Sequence, residues 1–176
     1  MVLAGRSEAF EPLVTPYRGP LLALAARLTG NREEALDVAQ EALLRAYRSL
    51  RAFDATRSFR NWLFQIAANE ARDRGRRKTR ERAAFQVVVE QAPAQAGPES
   101  GHDRRELRTG IVSLLAGLSP REREVFVLRD LEELDIRETS RVLGCSSLTV
   151  RVSLSSARKK LRQAIRRDLP HLEEGR

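Results

Sequence analysis

The chain has 176 residues, enough for one medium domain or two small ones, and its 32 Lys plus Arg against 24 Asp plus Glu give a formal charge of +8, a balance suited to a polyanionic partner. A single cysteine, Cys145, excludes an internal disulfide, and with His102 and His171 far apart there is no ligand spacing for a structural zinc, so neither metal nor cofactor is expected. The longest apolar run, "PLLALAARL", is broken by Arg27 and no signal-type segment opens the chain, so a reduced, cytoplasmic protein with no membrane insertion is expected.

Helical periodicity dominates from end to end. Pro12, Pro16 and Pro20 each remove a helix hydrogen bond, so Phe10 to Tyr17 is expected as short or kinked turns, with a regular helix from about Pro20 to residue 29. In "NREEALDVAQEALLRAYRSL", Asn31 is a candidate cap, Glu33 and Glu34 suit the positive helix end, and Val38, Ala39, Ala42, Ala46, Tyr47 and Leu50 form an inward face. The other side carries Asp37, Gln40, Glu41, Leu44 and Arg48, an acidic and amide stripe around an exposed leucine in a basic protein. A solvated surface and a docking face for a basic partner helix are both compatible with that stripe.

A third helix is expected over 58–80, where Phe53, Phe59, Trp62 and Phe64 precede Arg72, Arg74, Arg76, Arg77, Lys78, Arg80 and Arg82. Aromatics followed by bases are the ingredients of a single-strand site, in which nucleobases stack and cations hold phosphates. Trp62, Leu63 and Ile66 also have core spacing, and the arginine run reads equally well as a solvated helix end.

"FQVVVE", residues 85–90, is a lone β-like run with no assigned conformation, and "QAPAQAGPESGHD", residues 91–103, is too poor in core-forming side chains to fold alone. The expected fold is all-α: two small helical domains, 1–84 and 104–176, joined by a flexible linker over 85–103. The second domain is expected to hold helices near 104–117, 120–132, 135–143 and 147–167. Ser119, Pro120 and Glu122 make a coherent start signal, and "DIRETSRVLG" is capped by Asp135, buries Ile136, Val142 and Leu143, and stops at Gly144.

In the last helix Val150, Leu154, Ala157 and Leu161 form a buried stripe. Leu148, Val152, Ser155, Ser156 and Lys159 lie opposite, with Arg151, Arg158 and Arg162 on the shoulder. Two short helices around a Gly-containing turn, the second basic, form a helix-turn-helix signature whose second helix enters a DNA major groove. No glycine-rich phosphate loop, His-paired nucleophile or carboxylate cluster at metal spacing supports an enzyme. A free-standing helix-turn-helix regulator remains the alternative on these residues.

"LTGNREEALDVAQEALLRAYRSLRAFDATRSFRNWLFQIAANEARD" resembles region 2 of the extracytoplasmic-function sigma factors of bacterial RNA polymerase, and "LSPREREVFVLRDLEELDIRETSRVLGCSSLTVRVSLSSARKKLR" resembles their region 4. The resemblance implies a non-catalytic initiation factor whose partners are core RNA polymerase, through the largest-subunit clamp coiled coil and the flap, promoter DNA as duplex and nontemplate single strand, and an anti-sigma factor. It implies that Asp37, Gln40, Glu41, Leu44 and Arg45 bind core polymerase. Phe53, Asp54, Thr56, Arg57, Ser58, Phe59, Trp62, Asn69, Arg72, Arg76 and Arg77 would bind the minus-ten element, and Thr149, Arg151, Val152, Ser155, Ser156, Arg158 and Lys159 the minus-thirty-five element. Family recognition helices commonly read like "VGTVKSRLHRAR"; here Val152, Ser153 and Ser156 stand where Ser, Arg and Arg are usual, and Ser156 is expected on the outward face.

Overall fold

The computed structural model describes residues 10–84 and 113–168. The chain divides into two compact units, Met1–Pro93 and Ala94–Arg176, and no strand occurs among the described residues. The β-like run at 85–90, the linker expected over 85–103 and the start of the helix expected at 104 lie outside them. No helix among the described residues is long and apolar enough to cross a membrane.

The first unit begins with α1 (Phe10–Val14), a 3-10 turn (Thr15–Tyr17) and α2 (Arg18–Thr29), so the expected kinked entry is present. The regular helix starts two residues before Pro20, whose missing N–H lies in the first turn where no intrahelical partner is needed. Gly30 ends α2 in the left-handed region at φ 69° and donates its N–H to the Ala26 carbonyl at 2.9 Å. Asn31 Oδ1 then accepts from the Glu34 N–H at 3.0 Å and starts α3 (Arg32–Ser49). A 3-10 turn (Leu50–Ala52) and a short loop lead to α4 (Phe59–Ala84), opened by Ser58 Oγ accepting from the Asn61 N–H at 3.3 Å.

These helices share one core: Leu21, Leu24, Ala25 and Leu28 of α2, Ala35, Val38, Ala42 and Ala46 of α3, and Leu63, Phe64, Ala67 and Ala68 of α4. The alanines of α3 let the leucines of α2 and Phe64 of α4 approach its backbone, and truncating a buried Phe typically costs about 3–5 kcal/mol. Tyr47 is a correction to the expected inward face. It is 43% exposed, with its ring edge-on to Phe10 at 5.2 Å, because the alanines leave no room beneath α3 for a large ring.

In the second unit residues 113–116 are helical, and α5 (Pro120–Phe126) follows a full capping box: Ser119 Oγ accepts from the Glu122 N–H at 3.4 Å while Glu122 accepts from the Ser119 N–H at 2.8 Å. A π turn (Val127–Leu131) continues α5, with the Glu132 N–H bonded to the Val127 carbonyl at 2.9 Å. Asp135 and Glu138 form a second capping box for α6 (Ile136–Leu143). Ile136, expected to be buried, is half-buried, and Thr139 joins Val142 and Leu143 inside instead, because Ile136 opens the helix at the unit's surface.

Gly144 at φ 60° reverses the chain, the Cys145 N–H meets the Ser140 carbonyl at 3.1 Å, and Ser146 Oγ accepts from the Thr149 N–H at 3.0 Å to start α7 (Ser147–Asp168). Val150, Leu154, Ala157 and Leu161 are all buried, as their spacing requires.

Candidate functional site

On α3, Asp37, Gln40, Leu44 and Arg48 are exposed, with Leu44 at 42%, and Glu41 and Arg45 are half-buried. The stripe is tied to α4 by a chain of ion pairs centred on Glu70, which is only 3% exposed. Glu70 Oε1 accepts from Arg74 Nε at 2.9 Å and its Oε2 lies 2.8 Å from Arg45 Nη2. Arg74 also donates to Asp37 at 3.0 Å and Arg45 to Glu41 at 2.9 Å, and that bond lowers the Glu41 carboxyl below its ordinary range. Asp37, Glu41 and Arg45 are thus held in place by their neighbours, while Gln40 and Leu44 stand clear.

Phe53 of the loop after α3 clusters with Phe59 and Trp62 of α4 and with Tyr17 of the first 3-10 turn. Phe53 lies 5.5 Å from Phe59 and 4.9 Å from Trp62, Phe59 lies 5.6 Å from Trp62, and Tyr17 closes on Phe59 at 5.5 Å. These contacts pin both ends of the loop. Within it Asp54 Oδ1 accepts from the Thr56 N–H at 3.0 Å and from its hydroxyl at 2.7 Å, bonds that hold the Asp54 carboxyl below its ordinary range. The hydroxyl of Ser58 is engaged as the cap of α4, whereas Arg57 projects into solvent.

Asn69 is exposed on α4 and its Oδ1 accepts from Arg72 at 3.1 Å, which leaves its amide nitrogen to donate outward. Of the basic run, Arg74 and Lys78 turn back to acids on α3, Arg76 pairs with Asp73 at 3.2 Å, and Arg77 is exposed. The arginine run belongs to a continuous helix.

In the helix-turn-helix, Leu148 and Val152 are 69% and 62% exposed, and Thr149, Arg151, Ser155 and Lys159 are exposed beside them. Two expected members of this face point elsewhere. Ser156 is half-buried and donates to Glu122 Oε1 at 2.6 Å; it turns toward α5, not outward, because the buried Glu122 carboxylate offers it a charged acceptor. Arg158 makes a two-pronged pair with Asp130 at 2.7 and 2.8 Å, which raises its pKa and holds the guanidinium against its own domain.

Glu122 also accepts from Lys160 at 2.8 Å; Lys160, Ser156 and the Ser119 N–H together push its carboxyl down to about 2 against an offsetting burial cost. At the entrance to the helix pair, Arg129, Asp135, Ile136, Arg137, Ser147 and Arg151 line an open cleft of about 430 Å³.

Residues 13–81 match the family described as Sigma-70 region 2, and residues 108–161 match Sigma-70, region 4. The ECF RNA polymerase sigma factor SigW of Bacillus subtilis is 32% identical over 94% of this chain and 93% of its own length. The chain belongs to the extracytoplasmic-function sigma factors. The RNA polymerase sigma-H factor of Pseudomonas aeruginosa is also 32% identical, over 93% of this chain and 90% of its own. Among solved structures, CnrH in complex with the cytosolic domain of CnrY aligns with a TM-score of 0.70 at 32% identity, covering 95% of this chain and 94% of that one.

A sigma factor is a transcription initiation factor of RNA polymerase, and this membership replaces the free-standing regulator, which left the first unit without a role. The sigma factor contains two hubs that sequence reasoning missed, Glu70 and Glu122. Glu122 was visible only as a first-turn acid in the start signal with Ser119 and Pro120. Glu70 had one signal, an acid at a core-facing register between Ala67 and Arg74.

Proposed function

We propose that this sigma factor works in the cytoplasm without catalysis of its own, and that its two units divide the labour of promoter recognition. The α3 stripe, with Asp37, Gln40, Glu41, Leu44 and Arg45, docks on the clamp coiled coil of the polymerase largest subunit, and the second unit meets the flap. Phe53 to Phe59, Trp62, Asn69, Arg72, Arg76 and Arg77 hold the opened nontemplate strand of the minus-ten element. Thr149, Arg151, Val152, Ser155 and Lys159 face the upstream duplex, while Ser156 and Arg158 act indirectly by fixing α7 against α5 and the π turn. Melting then draws its energy from tighter binding to the opened strand than to the duplex. An anti-sigma protein is the remaining partner, a reading supported by the complex of CnrH with the cytosolic domain of CnrY.

The observation that carries the docking assignment is the exposure of Gln40 and Leu44 on an α3 face whose charged members are already ordered by Glu70 and Arg74. Co-elution with core polymerase on a sizing column tests it. Wild type should co-elute, and Gln40→Ala/Leu44→Ala should weaken association roughly tenfold with unchanged helicity. Undiminished association of the double variant would remove this face from the interface.

A further inference from the structure

We infer that the recognition helix reads thymine methyl groups in the upstream promoter element through an exposed apolar pair, Leu148 and Val152. This rests on the assignment of α7 to the duplex groove. The two side chains are among the most exposed large apolar residues of the described chain, at 69% and 62%. Among the described residues of the second unit none covers them, and burial of the Val150, Leu154, Ala157 and Leu161 stripe fixes the direction in which they point.

The surroundings select DNA as the occupant. No Asp or Glu occurs between Ser147 and Arg167, and the exposed neighbours on the same face are Arg151, Ser155 and Lys159. Two further cations, each about half exposed, are paired with acids of the same domain, Arg158 with Asp130 and Lys160 with Glu122. The result is an apolar pair rimmed by cations and hydroxyls, complementary to a groove with anionic edges and, among the bases, only thymine offering a methyl on its floor.

Spacing agrees. Residues four apart on a helix are separated by about 6 Å along its axis. Base pairs step by about 3.4 Å, so the pair reaches methyls one or two steps apart. Ser153 and Ser156 carry no long donor, and Ser156 is bound to Glu122. Methyl contacts therefore add discrimination beside the exposed Arg151.

The test uses the full chain bound to core polymerase, first in selection on a randomised upstream duplex, then on the selected duplex with each thymine replaced by deoxyuridine, which removes only the methyl. The selected element should contain at least two thymines within three base pairs. Deoxyuridine should weaken wild-type binding roughly fourfold per contacted methyl. Leu148→Ala/Val152→Ala should bind the thymine and deoxyuridine duplexes equally.

Equal binding of both duplexes by a wild-type protein that still selects a sequence would overturn this inference alone. Discrimination that persists in the double variant would overturn it as well. Failure to select any upstream sequence would overturn the promoter reading, and this inference with it.

Discussion

Replacing Glu122 with Ala should destabilise the second unit and leave the first untouched. Three bonds are lost. The Ser156 hydroxyl meets the carboxylate at 2.6 Å, and because Ser156 is half-buried its contribution lies at the lower end of the roughly 1.5–3 kcal/mol of a hydrogen bond to a charged group. Loss of the Ser119 N–H partner opens the capping box, at about 0.5–1 kcal/mol. Lys160, with a side chain 49% exposed, adds no more than about 1 kcal/mol. The total is about 2–4 kcal/mol, a large share of what a unit this small can hold.

The chain's one tryptophan separates the two units experimentally. Trp62 sits in the aromatic cluster of the first unit, so its fluorescence follows that unit during urea unfolding, whereas far-ultraviolet circular dichroism follows both. Glu122→Ala should move a dichroism component to lower urea and leave the Trp62 transition in place, with Ser156→Ala causing a smaller shift of about 1–2 kcal/mol. An unmoved dichroism curve, or an equal shift of the Trp62 transition, would refute the hub.

The same carboxylate gives a pH signature: its folded pKa of about 2 lies below the ordinary 4.5, so its stabilisation is complete above 4.5 and is lost as pH falls toward 2. The stability difference between wild type and Glu122→Gln should therefore shrink over that acid window; a constant difference would contradict it. Glu70→Gln should destabilise the first unit by about 1–3 kcal/mol, read by Trp62 fluorescence, less than for a fully buried pair because Arg45 and Arg74 are partly exposed. Lys159→Ala should weaken binding to all duplex sequences and lower the salt slope by about one, as expected of a phosphate contact. Asn69→Ala should reduce open-complex formation, followed by permanganate reactivity, more than polymerase association; equal losses would make Asn69 structural.

Local signals were the most legible. Asn31, Ser119, Asp135 and Gly144 act at the positions their chemistry indicates, because a cap or a left-handed turn depends on a few consecutive residues. The buried stripe of α7 was equally readable from its period. Features set by neighbouring helices were not. The π turn at Val127–Leu131 and the left-handed Glu133 at φ 59° carry no compositional mark. By helical period Ser156 belongs to the outward face, and only the Glu122 carboxylate across from it turns its hydroxyl inward. Reversing Asp37 to probe docking would place a cation against Arg74. Gln40 and Leu44 are the better probes for that reason.

The central claim, that one chain directs polymerase through two DNA-facing units, is tested most directly by transcribing genomic DNA in vitro with purified core polymerase, with and without this protein, and mapping the 5′ ends by sequencing. New discrete start sites that require the protein are expected, each preceded by two short elements at a constant spacing, the upstream one enriched in thymines. A start-site profile unchanged from core polymerase alone, under conditions where the protein co-elutes with it, would contradict the account.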